Sequence, residues 1–231
     1  MKLFGHSRRN PGCTLRKSAL HATYGCLMVI SLQTAAVALP VGFKDSWMVM
    51  GDFSSSYREL SLNYALSAND AFGIAVNESS LARATSKSKS VEATYVRKLR
   101  RWNFPNAQAN IWFLGSLGGE SSPLSGERKT SASAGLQADY ETTRFYSMVA
   151  LRTNVVAQHP SDIVTARIGF SFYEVEYEQP QPWIIIEARK MSIASADFEF
   201  TPMLRVVHRR YFIEIGASGS GDMRLNFMYN H

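Results

Sequence analysis

The chain is short of the residues that carry most catalytic and metal chemistry. It has two cysteines in 231 residues, Cys13 and Cys26, both within the first 38 positions. The remainder therefore has no disulfide framework and no thiolate metal site. Beyond position 38 there are only three histidines, His159, His208 and His231. None falls mid-strand beside a serine and an acid, so a Ser/His or Asp/His hydrolase is not expected. The arrangement left to an enzyme is His159 with Asp162 in one loop. No stretch approaches ~18 consecutive apolar residues, which excludes a transmembrane helix. No acidic residue precedes Asp45.

That last absence marks a leader. Lys2, Arg8, Arg9, Arg16 and Lys17 precede an apolar run from Cys26 to Val37, and Ala36-Val37-Ala38 offers a small-residue cleavage point. Residues 1–38 are expected to be a cleaved secretory signal peptide, and residues 39–231 the mature domain. Five of the 25 cationic residues leave with the leader. That leaves 20 against 19 acids, a net charge of about +1 in place of +6. No nucleic-acid partner is implied by such a balance.

The mature chain has strict alternation in place of helical spacing. Leu60, Leu62 and Tyr64 oppose Glu59, Ser61 and Asn63. Ala132, Ala134, Leu136, Ala138 and Tyr140 oppose Ser133, Gly135, Gln137 and Asp139. Val164, Ala166, Ile168, Phe170 and Phe172 oppose Thr165, Arg167, Gly169 and Ser171. Counting along the chain gives about twelve strands, with ten as the alternative, of the length a tilted membrane strand needs. The stretches Ala109–Leu117 and Phe145–Thr153 have no clear phase. Arg100–Ala107, Gly118–Lys129 and Glu178–Pro182 read as connections.

The final stretch, Met223 to His231, alternates Met223, Leu225, Phe227 and Tyr229 with Arg224, Asn226, Met228 and Asn230. It resembles the closing strand of Gram-negative outer-membrane β-barrel proteins, although that pattern usually ends on an aromatic and this chain ends on Asn230-His231. The resemblance implies an all-β, antiparallel up-and-down transmembrane barrel in the bacterial outer membrane. It also implies contact with membrane lipid and lipopolysaccharide, and with the barrel assembly machinery during biogenesis. Longer loops (Ser79–Ser88, Gly118–Lys129, Val156–Asp162, Ser192–Asp197) alternate with compact turns (Ser67–Asp70, Glu141–Thr143, His208–Arg210), as in such barrels. Trp47, Tyr64, Phe72, Trp102, Tyr140, Phe145, Phe172, Trp183, Tyr211 and Tyr229 gather at the turn end, where an interfacial girdle belongs. Lys87, Lys89, Arg128 and Lys129 lie at the opposite end, within reach of lipopolysaccharide phosphates.

If the apolar faces meet lipid, the polar faces line the lumen. That set is Asp52, Glu59, Asn63, Glu92, Asp139, Arg167, Glu187, Arg189, Glu199, Arg205, Glu214 and Arg224. Charges removed from bulk water need partners. Pairs are expected between consecutive strands, Arg205 with Glu214 and Glu214 with Arg224. Such a lumen suits a narrow, porin-like channel for small solutes or ions. The alternatives are a plugged structural barrel, an outer-membrane hydrolase, and a soluble periplasmic ligand-binding barrel with the apolar faces turned inward. Met48, Met50, Met203 and Met228 fall on the polar phase, but no His or Cys accompanies them, so they read as space-fillers. No cofactor or metal is expected, and nothing in the sequence marks an oligomeric state.

Overall fold

The computed structural model describes residues 40–80, 87–121, 127–156, 161–176, 178–192 and 197–231. The predicted leader, His159 and most of the polar stretch Ser192–Asp197 lie outside them. Twelve antiparallel strands follow in order: β1 (Trp47–Phe53), β2 (Tyr57–Ala65), β3 (Asp70–Ser80), β4 (Lys87–Phe104), β5 (Ala107–Ser121), β6 (Arg128–Thr142), β7 (Phe145–Val156), β8 (Ser161–Phe170), β9 (Gln181–Met191), β10 (Glu199–His208), β11 (Tyr211–Ala217) and β12 (Met223–Asn230). Each pairs with its sequence neighbours, and β1 pairs with β12 to close the ring. The closing ladder runs from Met48 opposite Asn230 to Phe53 opposite Leu225. His231 extends it, exchanging backbone hydrogen bonds of 2.8 and 3.0 Å with Trp47.

The alternation places the apolar phase outside. Leu62, Ile74, Leu136, Ile168, Ile186, Leu204, Ile213 and Leu225 are all exposed on the outer surface. Leu136, at the middle of β6, is 53% exposed, while Asp139 on the opposite phase is 6% exposed. This excludes a soluble barrel with an apolar interior built on these faces. A cationic group on the outer face would have to enter hydrocarbon. Leu136→Arg is expected to cost about 2–4 kcal/mol at the bilayer midplane, read by urea titration in lipid vesicles. A cost below 0.5 kcal/mol would place that face in water.

Four local readings change. Arg100–Ala107 is not a long connection. β4 runs on to Phe104, and a bulge between Lys98 and Arg100 resets its register against β5. The bulge lets Leu99 and Arg100 both face outward, which scrambles the alternation the sequence shows. The glycines at 118 and 119 belong to β5, and the turn after β6 falls at Thr143-Arg144, so Glu141 is a buried strand residue. β8 ends at Phe170, short of the Ser171 and Phe172 that continue its alternation. Beyond it, the Ser171 hydroxyl donates to the carbonyls of Tyr173 (2.9 Å) and Pro182 (3.0 Å), turning the chain out of the ladder.

The fourth change concerns the aromatics. Nine of the ten predicted girdle residues are exposed or half-buried, and several stack in pairs, such as Trp47–Tyr64 and Tyr211–Tyr229 with centroids 4.9 Å apart. Trp183 is the exception, at 3% exposure. It shares the phase of Ile185, Glu187 and Arg189 and points inward. The apolar Ile184 and Ile186 hold the outer phase.

Candidate functional site

Inside the ring, β8 to β12 and β1 carry seven ionised residues in one connected network. Arg205 Nε donates to Glu214 Oε1 across the β10–β11 pair at 2.8 Å. Arg167 contacts the other Glu214 oxygen at 3.2 Å and Glu187 at 2.5 Å. Arg224 contacts Glu187 at 3.0 Å and Asp52 at 3.2 Å, and Arg189 contacts Asp52 at 2.9 Å. Glu187 and Glu214 are fully buried. The expected Glu214–Arg224 pair does not form. Asn226 is the residue opposite Glu214 and donates to it at 2.8 Å, while Arg224 sits opposite Gly216 and turns to Glu187 and Asp52.

A second group crosses the barrel. Arg152 on β7 contacts Glu59 on β2 at 2.8 Å and Glu92 on β4 at 3.8 Å. β2 lies five places from β7 round the ring of twelve by the shorter route. This ion pair therefore spans the lumen. Gly135, opposite Arg152 on β6, helps to make room: a methyl group there would lie 3.3 Å from the Arg152 Cα. Glu92 also accepts from Ser116 (2.5 Å), Ser131 (2.6 Å) and Ser90 (3.0 Å), and Glu59 accepts from the Tyr57 hydroxyl. Tyr57 packs with Ile163 and Met191 from the far wall. These residues floor a vestibule at the loop end whose free space, about 50 Å³, holds only a few waters.

A third group sits near the turn end. Asp139 accepts from Asn110 Nδ2 and Trp112 Nε1, each at 2.6 Å, and Arg101 Nε donates to Asn110 Oδ1 at 2.6 Å. Trp112 in turn packs with Ala65, Ala71, Val96 and Val41, so the segment leading into β1 tucks Val41 into the barrel mouth. Trp112→Phe removes one charge-assisted hydrogen bond and keeps the ring. It is expected to lower stability by about 1.5–3 kcal/mol, read as a lower unfolding midpoint in detergent. An unchanged midpoint would show that Asp139 finds another donor.

Between these groups lies an apolar layer of Met48, Tyr146, Met148, Trp183, Ile185, Met203, Val207, Phe212 and Met228, with Met50 against its edge. All four methionines noted in the sequence belong to it, so they fill irregular space between rings. The Arg205 guanidinium lies 4.3 Å from the Tyr146 ring centroid and 4.9 Å from that of Phe212.

Of the residues predicted to line the lumen, Asp52, Arg167, Glu187, Arg189, Arg205, Glu214 and Arg224 share the first network. Glu59 and Glu92 join Arg152 in the second. Asn63 is buried beside Ser61 and Thr94, Asp139 holds the third group, and Glu199 lies half-buried at the loop end of β10. Sequence reading missed Arg152, Tyr57, Tyr146 and Trp112. Three of these sit on stretches with apolar residues on both phases. On β7 the one available signal was the charge of Arg152, which assigns its phase to the interior.

A closed antiparallel barrel with an apolar exterior, an aromatic rim and an ionised interior is an integral outer-membrane β-barrel. No protein-family model matches this chain, and no curated protein is similar to it. Among solved structures it is similar to the KdgM porin. Two structures of that porin, one in complex with disordered oligogalacturonate, align with a TM-score of 0.45 at 14% identity, over 80% of this chain and 98% of theirs.

Proposed function

We propose that the protein is a channel of the outer membrane for small ions or small polar solutes, held closed in this structure by side chains that meet across the lumen. The observation that carries this is the Arg152–Glu59 ion pair spanning the barrel, beneath the polar vestibule and beside the larger network. Buried ion pairs are weak sources of stability, and apolar replacements are often neutral or better. Charged groups within the lumen instead lower the barrier to ions and give a passing solute partners to exchange. Opening then requires Arg152 to leave Glu59 for Glu92 or for an incoming anion. Glu92 already lies 3.8 Å from the Arg152 guanidinium.

The apolar layer favours a second reading, a plugged barrel with a structural role only. Planar-bilayer recording separates the two. A channel gives discrete conductance steps in wild type that change in size or frequency in Arg152→Ala. A plugged barrel gives none in either protein, with both showing the heat-modifiable gel migration of a folded barrel.

A further inference from the structure

We propose that the outer surface of β2–β4 at the loop end binds the phosphate groups of a phosphorylated outer-leaflet glycolipid of the lipid A type. The inference rests on the outer-membrane barrel and is independent of whether the lumen conducts. Arg58, Glu78 and Lys89 stand directly opposite one another on three adjacent strands. Lys87 joins them, with its Nζ 2.7 Å from Glu78 Oε1, while Lys89 lies at 3.8 Å and Arg58 at 3.9 Å from the same carboxylate. Three cations thus share one acid, and only one of them holds it at hydrogen-bonding distance. The cluster carries two positive charges in excess, the complement of a phosphate monoester dianion.

Its position supplies the partner. Two residues nearer the barrel middle on the same strands are Leu60, Val76 and Val91, all exposed and apolar. Two strand residues span about 6.6 Å, so the cations stand one short step above the last hydrocarbon contact. That is the depth of the first phosphates of a lipid whose acyl chains cover those three residues. The Lys89 side chain is 70% exposed and that of Arg58 55%, so both are free to turn to a phosphate. Glu78 gathers the three cations before any lipid arrives.

The test uses the folded barrel in phosphatidylcholine vesicles with increasing diphosphoryl lipid A. Retained lipid A is counted by native mass spectrometry after release into detergent. Wild type is expected to retain it, and each cation removed is expected to weaken retention about fivefold at low salt. Arg58→Gln/Lys87→Gln/Lys89→Gln should lose it almost entirely, while Glu78→Gln should hold it at least as well as wild type. Dephosphorylated lipid A should not be retained, and soluble glucosamine phosphate should compete only weakly because it lacks the acyl contact. Should the triple variant not fold, Lys89→Gln alone carries the measurement. Equal retention by wild type and the folded variant, or equal retention of dephosphorylated lipid, would overturn the proposal. Absence of heat-modifiable migration in wild type would instead overturn the barrel reading.

Discussion

Arg152→Ala is expected to raise the conductance several-fold and to turn the passage cation-selective. The side chain makes four contacts: with Glu59 at 2.8 Å, Glu92 at 3.8 Å, the Ser133 hydroxyl at 3.2 Å and the Tyr57 hydroxyl at 3.5 Å. Its loss removes the bridge between β7 and β2. It also leaves two carboxylates facing the opened space with no cation between them. Both keep hydroxyl donors, Glu92 from three serines and Glu59 from Tyr57, so the barrel should survive the change. The sign can be checked under a salt gradient: the reversal potential should move toward that of the cation. Glu59→Gln should move it the other way, because Arg152 then balances the one acid left to it and the local excess of negative charge is gone. Unchanged conductance and reversal potential in a folded Arg152→Ala protein would remove Arg152 from any passage.

Glu214→Ala is expected to be the most destabilising substitution in the network, by about 3–5 kcal/mol. Glu214 is fully buried and accepts from Arg205, Arg167 and Asn226 at once. Removing it takes a carboxylate from two guanidinium groups. Arg167 keeps Glu187, but Arg205 has no second carboxylate among its described ion pairs and is left with the faces of Tyr146 and Phe212. A cation over an aromatic face recovers only part of what a carboxylate gives. The double variant Arg205→Met/Glu214→Leu should cost much less than Glu214→Ala, because neither half of the pair is then left charged. Urea titration of refolded protein in detergent gives both values. A double variant as unstable as the single one would show that the pair contributes more than the cost of its own burial.

The ring was legible because its strands alternate. On β6 between Ala132 and Tyr140, and on β12, every outward residue is apolar and nearly every inward one is polar, so Leu136, Asp139, Leu225 and Arg224 could be assigned their sides from parity alone. Legibility failed where parity was broken or hidden. The bulge beside Lys98 shifts the phase by one residue, and no single residue in Arg100–Ala107 announces it. On β7, Tyr146 and Met148 face in while Val149 and Leu151 face out, so hydrophobicity no longer reports direction. Trp183 departs from the girdle because the phase that Ile184 and Ile186 set, and not aromatic identity, fixes its direction. The identity of charged partners was not legible either. The Glu59–Arg152 pair joins residues 93 positions apart across the ring, and a neighbour rule along consecutive strands finds Arg205–Glu214 but not that one. The apolar layer within the lumen has the same origin, since methionine and aromatic side chains on the inner phase look like scattered exceptions until the ring closes around them.

The central claim is that apolar side chains face acyl chains and charged ones face the axis. Residues 39–231 contain no cysteine, so a nitroxide can be attached at single engineered cysteines along β6 and β7. Collision rates are then compared for oxygen, which partitions into lipid, and a water-soluble nickel chelate. Labels at Leu136, Val149 and Leu151 should collide with oxygen and be shielded from nickel. Labels at Gln137, Asp139 and Arg152 should show low collision with oxygen. The reverse pattern, or no alternation between positions 136 and 139, would contradict the account.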